Sequence, residues 1–171
     1  MVTCRVAVAD WPKVPSGSME PTLRVGDYLL VNHLAYGPRL PFTNTAIETG
    51  KPQRGDVVVF RFPPNVSEFY VKRLIGMPGD MWEERSGVVY INGKRLSEPY
   101  IQATRRDSQT LTLRDIPPRN TYTRIPKGYY LMMGDNRSSS CDSRRWGLVP
   151  RKNLIGKVFA TYWPPKRISF H

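Results

Sequence analysis

The hydrophobic pattern of this chain has the period of strands rather than helices. Apolar runs rich in β-branched and aromatic residues recur as DYLLVNHLA (27–35), DVVVFRF (56–62), FYVKRLIG (69–76), GVVYING (87–93), GYYLMMG (128–134) and KVFATYW (157–163). Each is bounded by Gly, Pro, Asp or Asn, the residues that punctuate strands. Several are apolar at successive positions instead of alternate ones, which predicts strands covered on both faces. In VVYINGKRL (88–96), Asn92 and Gly93 supply the two φ > 0 positions of a type I′ turn and predict a hairpin. Residues 97–126 are more polar and turn-rich, and read as a peripheral lobe or long excursion between two core strands. Helix is minor, with SRRWGL and PRKNLIG (143–156) offering room for one short turn. No repeat or low-complexity segment occurs, so the expected fold class is mainly β.

Composition changes this picture in three places. Lys and Arg total 26 against 14 for Asp and Glu, a formal charge of +12. Such a balance suits an anionic partner such as nucleic acid, phospholipid headgroups or an acidic protein. The basic residues are scattered, however, with Arg–Arg pairs at Arg105–Arg106 and Arg144–Arg145 and no run of five. A solvated surface explains that as well, and nucleic-acid binding is not expected. Cys4 and Cys141 are the only cysteines; they match no zinc spacing or CxxC and are read as free thiols, leaving the redox compartment open. The stretch VAVADW (6–11) is short and broken by Asp10, well under the ~18 residues of a membrane span. No secretory n-region and h-region precede it, so the chain as given is expected to be soluble.

Candidate chemistry begins at VPSGSMEPTL (14–23), where Ser16 and Ser18 flank Gly17. Gly17 would let the backbone turn tightly and approach a substrate carbonyl. A nucleophile at Ser18 would offer its own N–H to an oxyanion, with Ser16 Oγ as a second donor. The same letters also spell an ordinary polar turn. Histidine is the usual activator of serine, but His33 sits inside the apolar run YLLVNHLAYG and reads as structural, while His171 is the last residue and is expected to be mobile. The Ser–Lys variant of the same logic remains. It needs a lysine whose pKa falls by two or more units from about 10.4, at roughly 1.4 kcal/mol each, and desolvation is the means. Lys13, Lys51, Lys94, Lys127, Lys152 and Lys166 lie beside prolines, glycines or charges. Lys72 lies in FYVKRLIG, where period-two geometry puts Tyr70, Lys72 and Leu74 on one face and Phe69, Val71, Arg73 and Ile75 on the other. On that pattern alone, Lys72 also reads as a half-exposed lysine snorkelling to water. The turn GDNRSSSCDSRRWG (134–147) is by default a loop, whose hydroxyls and carboxylates could fix a lysine or pin a charged neighbour.

Taken in order, PSGSMEPTL with GDYLLVNHLAYG, RGDVVVF, YVKRLIGMPGD, VYINGK and MGDNRSSSCDSRRWG resemble the motifs of the type I signal peptidase (leader peptidase) family, over about residues 12–164. The resemblance implies an antiparallel β catalytic core, residues 1–80 plus 129–171, with a smaller β lobe, 81–128, inserted between the lysine strand and the GDNR turn. It implies Ser18 as the acylated nucleophile, Lys72 as the general base, and Ser16 Oγ with the Ser18 N–H as the oxyanion hole. Ser140 would hydrogen-bond and orient the Lys72 amine. Asp142 would pair with Arg73 on the far side of the strand, and Asp135, Asn136 and Arg144 would belong to the supporting turn. Val14, Pro15, Met19, Leu23, Leu29, Val59, Tyr70 and Val71 would line shallow pockets for small side chains.

The implied activity is removal of signal peptides from exported precursors after small residues at −3 and −1, the A-x-A pattern, with the substrate bound as an added strand. No metal or organic cofactor is implied. The implied place is the outer face of the bacterial cytoplasmic membrane, where relatives carry N-terminal spans that this chain is expected to lack. An anionic membrane surface is an expected partner, with Trp11 and Trp163 either docking there or packing in the core. The oligomeric state stays open. Competing readings are a conjugative-pilus or self-processing Ser–Lys peptidase, and a non-catalytic basic β module that binds anionic lipid or nucleic acid.

Overall fold

The computed structural model describes residues 8–11, 13–37, 50–102, 104 and 124–171. Its strands are β1 (Val8–Trp11), β2 (Tyr28–Asn32), β3 (Val57–Phe62), β4 (Asn65–Gly76), β5 (Trp82–Arg85), β6 (Val88–Ile91), β7 (Lys94–Arg95), β8 (Tyr129–Met133), β9 (Val149–Pro150), β10 (Leu154–Trp163) and β11 (Ser169–Phe170). An eight-stranded sheet runs in the order β1-β2-β10-β3-β4-β8-β9, with β11 added beside β10, and β5-β6-β7 form a second sheet. Every strand pair among the described residues is antiparallel.

The apolar runs become strands because both sides of the large sheet are covered. Val57 and Val59 of β3 enter one buried cluster with Val14, Met19, Leu23, Leu29, Val31 and Val158. Val58 and Phe60, the alternate positions, enter another with Leu74, Tyr130 and Met132. A third cluster joins the two sheets, with Ile75, Leu131 and Met133 from the large one packed on Trp82, Val89 and Ile91 of the small one. On β4 the expected alternation holds: Tyr70 and Leu74 belong to the second cluster, whereas Val71 and Ile75 belong to the first and third. The β6–β7 hairpin turns at Asn92 (φ 52) and Gly93 (φ 76), both left-handed as its sequence requires.

The structure departs from the expectations in a few places. His33 is not in a strand: β2 stops at Asn32, whose side chain accepts from Leu34 N at 2.9 Å and opens a 3-10 turn, His33–Tyr36. β4 starts at Asn65, because it closes a hairpin with β3. VAVADW supplies a strand, β1, paired along β2. His171 is held by its backbone N to Phe159 O at 2.9 Å and by its ring to Thr161 Oγ1 at 3.0 Å. The short helix falls where expected, at Ser143–Trp146, capped by Asp142. Cys4, the side chain of Trp11, and much of the polar excursion (103 and 105–123) lie outside the described residues. Among the described residues no helix is long and apolar enough to cross a membrane.

Candidate active site

The serine segment is an anchored turn. Ser16 is extended (φ −139, ψ 155) and precedes a single 3-10 turn, Gly17–Met19. Met19 and Leu23 are fully buried, and Leu23 N bonds to Met19 O at 3.0 Å, so the turn is bolted to the core on its far side. On its near side Asn136 holds it twice, through its N–H to Ser18 O and its amide Nδ2 to Gly17 O, each at 3.1 Å. Gly17 is not needed for a left-handed bend. It is absent from the positive-φ glycines, and an added Cβ would meet only the flexible end of Glu20.

Lys72 sits in the middle of the large sheet, opposite Val58 on β3. The residue is 4% exposed. Its amine Nζ donates to Ser18 Oγ at 2.7 Å and to Val71 O at 3.2 Å, and it lies 5.5 Å from the centre of the Tyr70 ring. Burial drives its pKa down from 10.5 to about 8, against the opposing pull of Asp142, Cys141 and Asp135. The lysine is therefore a buried base within bonding reach of a hydroxyl, not a snorkelling one. Ser16 Oγ lies 3.4 Å from Ser18 Oγ. Neither histidine takes part in any hydrogen bond with Ser18: His33 is on the 3-10 turn after β2, and His171 bonds to Thr161.

The supporting charges pair differently from the expectation. Arg73 bonds Asp135, not Asp142, with Nε to Oδ1 at 2.8 Å and Nη2 to Oδ2 at 2.6 Å. The register explains it. Arg73 stands opposite Met133 on β8, which brings the end of β8 and the following Asp135 beside the guanidinium. Asp142 instead caps the short helix and grips Arg144 with Nε–Oδ1 at 2.9 Å and Nη2–Oδ2 at 3.0 Å, while accepting from Gly134 N at 3.0 Å. Those bonds hold its carboxyl below the usual range despite complete burial. Ser140 makes no hydrogen bond to the Lys72 amine. Among the described residues its buried Oγ meets no partner in hydrogen-bond geometry, yet it lies close enough to Asp142 to favour that carboxylate's charged form.

Beside the Ser18–Lys72 pair lies an open cleft of about 450 Å³. Val14, Pro15, Leu29, Tyr70 and Val71 line it. Met19, Leu23 and Val59 do not; they are fully buried in the cluster behind it, where they support the wall instead of forming it. Phe69, Ser139 and the free, exposed Cys141 also line the cleft and were not expected there. Gly134 is a further residue that sequence reasoning missed. An added Cβ there would overlap both the Ser18 carbonyl oxygen and the Ser140 side chain. Its position at the end of a strand, opening a polar turn, is the available signal. Among the described residues no group of His, Cys, Asp or Glu is placed to hold a metal ion.

A serine hydroxyl bonded to a buried lysine amine on an antiparallel β frame is the layout of the Ser–Lys class of peptidase sites. Comparison with known proteins narrows this. The chain belongs to the family described as "Signal peptidase, peptidase S26", whose sequence profile matches residues 1–163. It is 40% identical over 189 positions to a signal peptidase I of Pseudomonas aeruginosa, covering 92% of this chain and 66% of that protein. It is 39% identical over 161 positions to a signal peptidase IB of Staphylococcus aureus, covering 90% of this chain and 78% of the relative. A crystal structure of a signal peptidase I from Enterococcus faecalis is similar at 37% identity and a TM-score of 0.54, covering 63% of this chain and 96% of that one. The chain thus spans just under two thirds, 66%, of the length of the Pseudomonas relatives.

Proposed function

We propose that the protein is a serine endopeptidase that removes N-terminal signal peptides from exported precursors, cutting after small residues at −3 and −1. The observation that carries this reading is the 2.7 Å contact between Lys72 Nζ and Ser18 Oγ at the edge of an open apolar cleft. Family membership and the names of the relatives support it. The precursor would lie extended along the cleft, its −1 and −3 side chains against Val14, Pro15, Leu29, Tyr70 and Val71.

Neutral Lys72 takes the Ser18 proton as Oγ attacks the scissile carbonyl, and the oxyanion is held by Ser18 N–H and Ser16 Oγ. The lysine ammonium then protonates the leaving amine, the C–N bond breaks, and the signal segment remains esterified to Ser18. Lysine, neutral again, deprotonates a water that attacks the ester, and the proton returns to Ser18 as the acid product leaves. Asp135, Asn136, Asp142 and Arg144 would hold the turn behind the pair, with Ser140 packed against Gly134. No metal or organic cofactor enters these steps.

The small sheet, β5–β7, would be the described part of an inserted lobe at 81–128, resting on a core of 1–80 and 129–171. The site of action would be the outer face of a bacterial cytoplasmic membrane. The exposed side chains of Trp163, Ile168 and Phe170 beside Lys166 suit contact with an anionic lipid surface. The test is incubation with a preprotein and mass spectrometry of the products. Wild-type protein is expected to cut once, after an A-x-A site, and Ser18→Ala to leave the precursor whole. Equal cleavage by Ser18→Ala would refute the assignment.

A further inference from the structure

Glu98 and Tyr100 follow β7 on a short segment of the small-sheet side, SEPY (97–100), and neither has a role in the steps above. Glu98 is 4% exposed and Arg137 is 1% exposed. The two form a buried ion pair through both carboxylate oxygens, one of them 3.3 Å from Arg137 Nη1. The Tyr100 hydroxyl donates to the same carboxylate at 3.1 Å. The Tyr100 ring meanwhile lies against Arg73, whose guanidinium carbon is 3.9 Å from the ring centre.

Each of these two guanidiniums holds one residue of the turn behind the serine. Arg137 Nε donates to Gly134 O at 3.0 Å, and Arg73 grips Asp135 with two bonds. The next residue is Asn136, which carries the carbonyls of Gly17 and Ser18. Successive residues of one turn are thus tied, through two arginines, to two side chains of one four-residue segment.

A fully buried carboxylate–guanidinium pair is a poor way to gain stability, since desolvating both charges offsets most of their attraction. Its gain is a fixed geometry. Fixed geometry has value here because reacting groups displaced by about 1 Å lose on the order of a hundredfold in rate. This pair is buried against the turn whose Asn136 holds the Gly17 and Ser18 carbonyls, one residue beyond Asp135 and two beyond Gly134. We propose that Glu98 and Tyr100 are positioning residues for the Ser18–Lys72 pair, clamping the Gly134–Asn136 turn through Arg137 and Arg73. This rests on the reading of Ser18 and Lys72 as the reacting groups.

The experiment compares kcat and KM on an A-x-A peptide, with kcat expressed per serine that a serine-directed acylating agent labels, as counted by mass spectrometry. Glu98→Gln keeps the side chain's size and removes its charge. It is expected to lower kcat about tenfold or more with KM within twofold of wild type. Tyr100→Leu is expected to lower kcat several-fold, and Tyr100→Phe, which keeps the ring on Arg73, to recover most of it. Should Glu98→Gln fail to fold, the Tyr100 pair decides alone. A kcat per labelled serine within twofold of wild type in Glu98→Gln, or in Tyr100→Leu where that variant decides, overturns the proposal even if the melting temperature falls. Wild-type protein that turns over no such peptide would remove the function itself and this clamp with it, whereas active wild type with unaltered variants removes the clamp only.

Discussion

At Lys72, the burial that makes the amine a usable base also works against the fold. Its pKa falls from 10.5 to about 8, and at about 1.4 kcal/mol per unit this amounts to about 3 kcal/mol. The unfolded chain binds that proton more tightly, so the cost is full below pH 8, shrinks as pH rises from about 8 to 10.5, and is gone above. Losing the bond to Ser18 returns roughly 1 kcal/mol of it. Lys72→Met is therefore expected to be inactive yet about 1–2 kcal/mol more stable at pH 7, with the gain fading by pH 10. Urea denaturation at the two pH values checks this, and a less stable variant at pH 7 would contradict it. The strand period displays the face of Lys72, but its meeting with Ser18, 54 residues away, follows from tertiary packing and becomes readable only through family resemblance. The partner of Arg73 could not be read locally, because Asp135 and Asp142 share one turn and only the β4–β8 register chooses between them.

Among the elements, those whose burial comes from both faces were legible, since their apolar runs need no knowledge of neighbours. Elements set by a neighbour or a cap were not. β1 exists because β2 offers it an edge, and β2 ends early because the Asn32 side chain captures Leu34 N. The end of β8 shows how an element serves the site. Gly134 there lies against Ser18 O and Ser140, with its N–H bound by Asp142 and its carbonyl by Arg137. Gly134→Ala would overlap Ser140 and the Ser18 carbonyl, so the serine turn or the end of β8 must shift. It is expected to cost about 1–3 kcal/mol of stability by overpacking and to lower kcat at least tenfold. Thermal unfolding and steady-state kinetics measure the two effects, and an alanine variant with wild-type kcat would show that the turn does not set the serine's place.

On the scale of the whole molecule, the third apolar cluster joins the two sheets, and an ion pair also ties the small sheet to the site: Glu84 on β5 lies 3.6 Å from Arg144, which holds Asp142. The chain carries a formal net charge of +12, and the exposed Trp163, Ile168 and Phe170 lie near its end. Charge and apolar side chains together predict binding to vesicles containing anionic lipid. Affinity is expected to fall as salt screens the charges, by about 1 kcal/mol for each basic side chain engaged. Trp163→Ser with Phe170→Ser is expected to weaken binding at every salt concentration. Vesicle co-sedimentation tests both, and affinity indifferent to salt and to these substitutions would exclude this surface as the docking face.

The most direct measurement is an NMR titration of the Lys72 side chain in the intact protein. The amine is expected to lose its proton with a midpoint near 8, leaving a neutral base beside Ser18 at mildly alkaline pH. A midpoint near 10.5, the value of an ordinary lysine, would mean that the amine is charged where the serine must react, and the proposed mechanism would fail.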